Sequence, residues 1–136
     1  MNPTAREVIT SGHAPKPIGP YSVAIRSGGL VFASGQVGLD PATGDLVPGG
    51  IEAETKQALT NLSNVLEAGG SSMVRVLKTT VFLKDISEFA LMNAVYAGFF
   101  PNDPPARSTV AVAGLPKAGA RIEIDVIAAV LGASGA

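Results

Sequence analysis

The stretch PPARSTVAVAGLPKAGARIEIDVIAAV, Pro104–Val130, decides how the rest of the chain is read. It holds two runs of small and β-branched residues, Arg107–Val112 and Arg121–Val130, joined by a loop over Leu115–Ala120. Val, Ile and Thr pack well on a pleated surface, so both runs are predicted strands. Two charges sit oddly within them. Arg107 opens the first run directly after Pro104-Pro105-Ala106, where the prolines stiffen the approach. Glu123 lies between Ile122 and Ile124. A long charged side chain seldom enters such surroundings without a partner or a ligand.

Alternation puts Glu123, Asp125 and Ile127 on one side of the last strand and Ile122, Ile124 and Val126 on the other. A solvated sheet face accounts for the two acids, but not for the apolar Ile127–Val130 run beyond them. An arginine at a strand start is equally at home on an ordinary surface. Its functional reading is a bidentate carboxylate clamp, a task for a planar fork rather than a lysine point charge. If the two strands form a hairpin around Lys117, Arg107 lies opposite a residue near Ile127, with Glu123 about 13 Å away. If another strand lies between them, the gap is about 10 Å, two strand spacings. Neither arrangement gives a tight ion pair. The two charges are therefore expected to face one pocket across a gap, for which a subunit boundary is a natural place.

Working upstream, Pro101-Asn102-Asp103-Pro104-Pro105 ends a helix on which Phe89, Met92, Tyr96 and Phe99 share a face. Asp85 is positioned to cap it, with Glu88 three residues on to complete a capping box. Val74–Leu83 reads as a strand. Before it, Ile51–Ala68 carries Ala58, Leu59, Leu62, Val65 and Leu66 at helical spacing, and Gly69-Gly70 stops it. Tyr21–Arg26 and Leu30–Val37 flank Ser27-Gly28-Gly29 as a hairpin. The first twenty residues form a Pro/Gly-rich arm with a short strand over Glu7–Thr10, and a further small strand is placed near Leu46. The order β-β-α-β-α-β-β predicts an α+β layer, with two helices on one face of a mixed sheet.

At 136 residues the chain is read as one domain spanning 1–136. Its net charge of −1 creates no field that favours polyanions, and nucleic acid is not an expected partner. There is no cysteine, so no disulfide framework or thiolate metal site. No apolar run approaches the ~20 residues of a membrane helix, and the start lacks the apolar core of a secretory signal. The expected location is the cytoplasm. Charged residues make up 15% and apolar residues 46%, against about 25% charged in typical domains. A small domain so composed leaves apolar area uncovered, and one sheet face lacks helices; both point to a homo-oligomer.

The lone histidine, His13, lies in the arm, so no Ser-His-Asp set stands on rigid elements. No metal-ligand spacing, phosphate loop or dinucleotide glycine pattern occurs, and no cofactor is expected. Tyr21 follows Gly19-Pro20, a turn able to project its phenol; the alternative is an aromatic core residue. Ser34 adjoins Gly35, where a ligand can approach the backbone; otherwise it is a turn serine. Asn93 is read as able to orient an arginine or as a helix-surface residue.

PARSTVAVAGLPKAGARIEI resembles the signature block of the Rid family, also called the YjgF family: Pro-Ala-Arg-Ser, an apolar stretch, Leu-Pro, then Ile-Glu-Ile. APKPIGPYSVAI, FASGQVGLDPATGDL, KTTVFLKD and FALMNAVYAGFFP extend the resemblance over nearly the whole chain. The resemblance implies a chorismate-mutase-like α+β subunit, a homotrimer with intersubunit clefts, and metal- and cofactor-independent hydrolysis of 2-imino acids such as 2-iminopropanoate and 2-iminobutanoate to 2-oxo acids and ammonia. By matching position it assigns Arg107 to the substrate carboxylate and Glu123 to the attacking water. Tyr21, Ser34 and Asn93 match pocket positions, and Gly35 and Thr109 fall where backbone groups line the pocket. Thr109 stands where many members carry cysteine, and the Phe100–Arg107 stretch is shorter than in some relatives. Two other readings compete: RNA cleavage with translation inhibition, and non-catalytic binding of small carboxylates or hydrophobic clients. Low aromatic content and the absence of a basic patch argue against the first.

Overall fold

The computed structural model describes residues 5–130. Its elements are β1 (Glu7–Ile9), β2 (Ala24–Ser27), β3 (Leu30–Gln36), α1 (Gly50–Ala68), β4 (Val76–Leu83), α2 (Phe89–Phe99), β5 (Ala106–Ala111) and β6 (Ile122–Ala129). The strands form one six-stranded sheet in the order β1-β2-β3-β6-β4-β5. Only the β4–β5 pair is parallel. The expected mixed sheet with two helices is present, and the arm adds β1 to its edge.

The hairpin forms where the glycines allow it. Gly28 and Gly29 have φ of 60° and 83°, a turn whose twist suits the flanking strands. The last two strands do not form a hairpin: β4 lies between them, pairing with β5 on one side and β6 on the other. Of the two expected geometries, the one with an intervening strand holds. The reason is α2, which returns the chain over the sheet so that β5 lies parallel to β4 rather than folding back from β6.

The core lies between helices and sheet. Ala58, Leu59, Leu62, Val65 and Leu66 of α1 and Met92 of α2 are fully buried against Val31, Val81, Leu83, Ile122, Ile124 and Ala128. Among the described residues no helix covers the sheet's other face. Register sets Phe32 beside Ile127 and Glu123 beside Phe82 and Val110, with Lys78, Thr80, Ser108 and Asp125 between them. Phe32 and Val110 there are 43% and 44% exposed.

The expected capping box does not form. Asp85 caps the short 3-10 turn Ile86–Glu88, its carboxylate accepting from Ser87 N at 2.9 Å. Glu88 turns instead to the Arg121 guanidinium, 2.9 Å away. A cation within reach outcompetes the return bond to a backbone N–H. The strand expected from Val74 begins at Val76, after a 3-10 turn over Met73–Arg75.

Candidate functional site

Arg107 pairs in register with Thr79, whose hydroxyl is buried under α2 and bonded to Tyr96 Oη at 2.8 Å. The arginine therefore rises on the helix-covered face. Its guanidinium carbon lies 4.7 Å from the Tyr96 ring centre and 5.5 Å from that of Phe89. Ring faces attract a cation and leave the edge of the fork open. Among the described residues the guanidinium has no hydrogen-bond or ion-pair partner. It lines a cleft of about 480 Å³ with Asn93, Tyr96, Phe100, Pro104 and Pro105. Asn93 Oδ1 is buried there without a partner among the described residues, and so is Thr109 Oγ1 farther along β5. A buried polar atom left unpaired is costly, which marks both as places where a ligand or another chain completes the structure.

Glu123 stands on the opposite face. It lines a second cleft, about 280 Å³, walled by Pro15–Ile18 and Tyr21 of the arm, Val23, Gly35–Val37, Leu39, Pro116 and Lys117. A β-bulge in β3 between Ala33 and Gln36 brings Gly35 against it. A Cβ at Gly35 would sit 2.7 Å from Glu123 Cδ and 2.9 Å from its Cγ, so only glycine leaves room for the carboxylate. Burial pushes the Glu123 carboxyl above the usual range, and the like charge of Asp125 pushes it further. Asp125 is itself raised by burial, against the opposing pull of Thr80 and Lys78.

The expectation of one shared pocket is thus not met within a single chain. Arg107 and Asn93 line one cleft, Tyr21, Gly35 and Glu123 the other, and the sheet lies between. The row of Arg107 and that of Glu123 are three positions apart along the ladder, an odd step, so alternation sends them to opposite sides. Ser34 lines neither cleft: its Oγ donates to Ser22 O at 2.6 Å and ties the bulge to the chain before β2. Tyr21 is 51% exposed, its hydroxyl accepting from Ile18 N at 3.4 Å. Phe89 and Tyr96, which the sequence places on one face of α2, seat Arg107, a role that their shared face alone does not reveal. The sequence reading missed the arm as a wall of the Glu123 cleft. Among the described residues no group of three or more His, Cys, Asp or Glu side chains could hold a metal ion, and no helix is long and apolar enough to cross a membrane.

Residues 11–130 match the family model described as Endoribonuclease L-PSP. The chain belongs to this family. It is 47% identical over 128 residues to the 2-iminobutanoate/2-iminopropanoate deaminase of Bos taurus, covering 94% of this chain and 93% of the relative. A RutC family protein of Pyrococcus horikoshii is 50% identical over 123 residues, covering 90% of this chain and 97% of that one. Among solved structures, the Rid family protein YyfA from Yersinia pestis superposes with a TM-score of 0.87 at 46% identity, covering 93% of this chain and all of the other. The resemblance to the Rid family and the mixed α+β subunit therefore both hold, and the named relatives make imine deamination the reaction class to test.

Proposed function

We propose that this protein hydrolyses 2-imino acids such as 2-iminopropanoate and 2-iminobutanoate to 2-oxo acids and ammonia, in sites that form where copies of the chain meet. The observation that carries this reading is the Arg107 fork, held against two rings beside the buried Asn93 oxygen, neither having a partner among the described residues. A small carboxylate fits it.

The substrate carboxylate takes two parallel N–H donors of Arg107. The protonated C=N carbon beside it is already electrophilic. Water adds to that carbon while Glu123 accepts one of its protons, giving a tetrahedral carbinolamine. Glu123 then returns the proton to nitrogen, the C–N bond breaks and ammonia leaves; the hydroxyl gives its proton back to the Glu123 carboxylate as its oxygen becomes the 2-oxo group, and ammonia carries that proton away as ammonium. A base whose pKa is raised toward the working pH suits both the uptake and the return of that proton. Asn93 Oδ1 accepts a hydrogen bond from the imine nitrogen, and Tyr21 and the Gly35 backbone border the water side. Thr109 lies on the strand that carries the clamp.

The two half-sites lie on opposite sheet faces, so one chain does not bring them together. The helix-free face, with Phe32 and Val110 exposed, supplies a surface on which another copy can seat, and we propose a homotrimer with the Arg107 half of one chain completing the Glu123 half of the next. The test is release of ammonia and 2-oxo acid from freshly generated 2-iminopropanoate. R107A and E123A are each expected to be inactive; co-refolded in equal amounts, they should recover about a quarter of wild-type activity, the chance that both intact halves meet at one boundary. No recovery in mixed assemblies would refute the shared site. The family model's name points to RNA cleavage, but the net charge of −1 gives that reading no electrostatic support.

A further inference from the structure

Arg121 stands two residues before Glu123, where the loop enters β6. Both its backbone and its side chain are engaged. Its N–H donates to Glu54 Oε1 of α1 at 2.8 Å, and its carbonyl accepts from Lys84 N, just past β4, at 2.9 Å. The guanidinium donates from Nη1 to Glu88 Oε2 at 2.9 Å, with Nε 4.0 Å from Glu54 Oε2. One residue therefore joins α1, the end of β4 and the turn opening α2 to the strand that carries Glu123.

An exposed ion pair contributes little by itself. This one differs at its acidic end. Glu88 is largely buried, and its other oxygen, Oε1, has no partner among the described residues. Without Arg121 the whole carboxylate would be unpaired, and desolvation would drive it toward water. Glu88 is bonded directly to Phe89, whose ring holds the Arg107 guanidinium at 5.5 Å. A shift of Glu88 is thereby passed to the clamp.

We propose that Arg121 is a positioning residue for the carboxylate clamp: by holding Glu88 it fixes Phe89, and with it the place of the Arg107 guanidinium. The consequence for ligand binding rests on the proposed clamp; the placement of Arg107 against the rings does not. Two measurements separate them. The side-chain N–H of Arg107 should resonate upfield in the NMR spectrum of the wild-type protein, shifted by the Tyr96 and Phe89 ring currents. In R121M it should move toward the position of an unstacked arginine, and the Kd for pyruvate should rise roughly 3- to 10-fold while kcat on 2-iminopropanoate stays within about twofold. R121K, which keeps a cation near Glu88, should fall between. In an E88A background, R121M should add nothing, because Arg121 acts through Glu88. An Arg107 resonance unmoved in R121M, with only the thermal midpoint lowered, would overturn the proposal. So would an R121M effect of full size in the absence of Glu88. If R121M does not fold, E88A alone must show the shift. If wild-type protein fails to bind pyruvate, the clamp reading falls and the resonance alone decides the role of Arg121.

Discussion

The two clefts differ in how they treat charge. On the helix side the Arg107 guanidinium rests against ring faces that favour the cation and leave its donors free. On the open side the Glu123 carboxylate is partly desolvated and neighbours Asp125, so its charged form is disfavoured. One cleft holds a fixed charge suited to gripping an anion. The other holds an acid poised to exchange a proton. The division suits the two ends of the proposed imine hydrolysis, and it gives each a distinct experimental signature.

The largest expected effect is on the gripping side. R107A should lower kcat/KM by about 10²-fold or more, the loss of a bidentate charge-assisted pair. R107K should be nearly as poor, because a point charge cannot replace the fork. Full activity in R107K, read by ammonia release, would break the comparison at its first term. On the other side, E123Q should lower kcat by about 10²-fold while leaving the Kd for pyruvate unchanged, since the carboxylate is held elsewhere. A rise in Kd matching that of R107A would merge the two roles. G35A should cost about tenfold in kcat: the new Cβ displaces the Glu123 carboxylate without touching the clamp. The smallest effect concerns pH. In its proposed role Glu123 is a base only when ionised, so activity should fall as pH drops through its raised pKa, an acid limb above the ordinary glutamate range. D125N removes the neighbouring like charge and should move that limb to lower pH. A limb that stays in place would detach the pH dependence from Glu123.

Much of this was legible before the structure. The Gly28-Gly29 hairpin, the α1 stripe from Ala58 to Leu66 and the strand around Glu123 follow from turn chemistry and periodicity, which are local properties. The failures were non-local. Glu88 was assigned to a capping box because sequence spacing shows only near neighbours, whereas its actual partner, Arg121, lies 33 residues away. Of the two readings of Ser34, a pocket position or a turn serine, spacing could not show the partner its hydroxyl takes, Ser22 O across the bulge.

The sequence alone singled out the two side chains on which the proposed chemistry rests, since an arginine after Pro-Pro-Ala and a glutamate between isoleucines stand out against their local background. It also determined that both lie on strands, because β-branched runs admit little else. Only the tertiary structure decided that β4 enters between those strands and that register sends the two charges to opposite faces. Strand order and register arise from packing between distant segments, so no spacing within the Pro104–Val130 stretch could have revealed them.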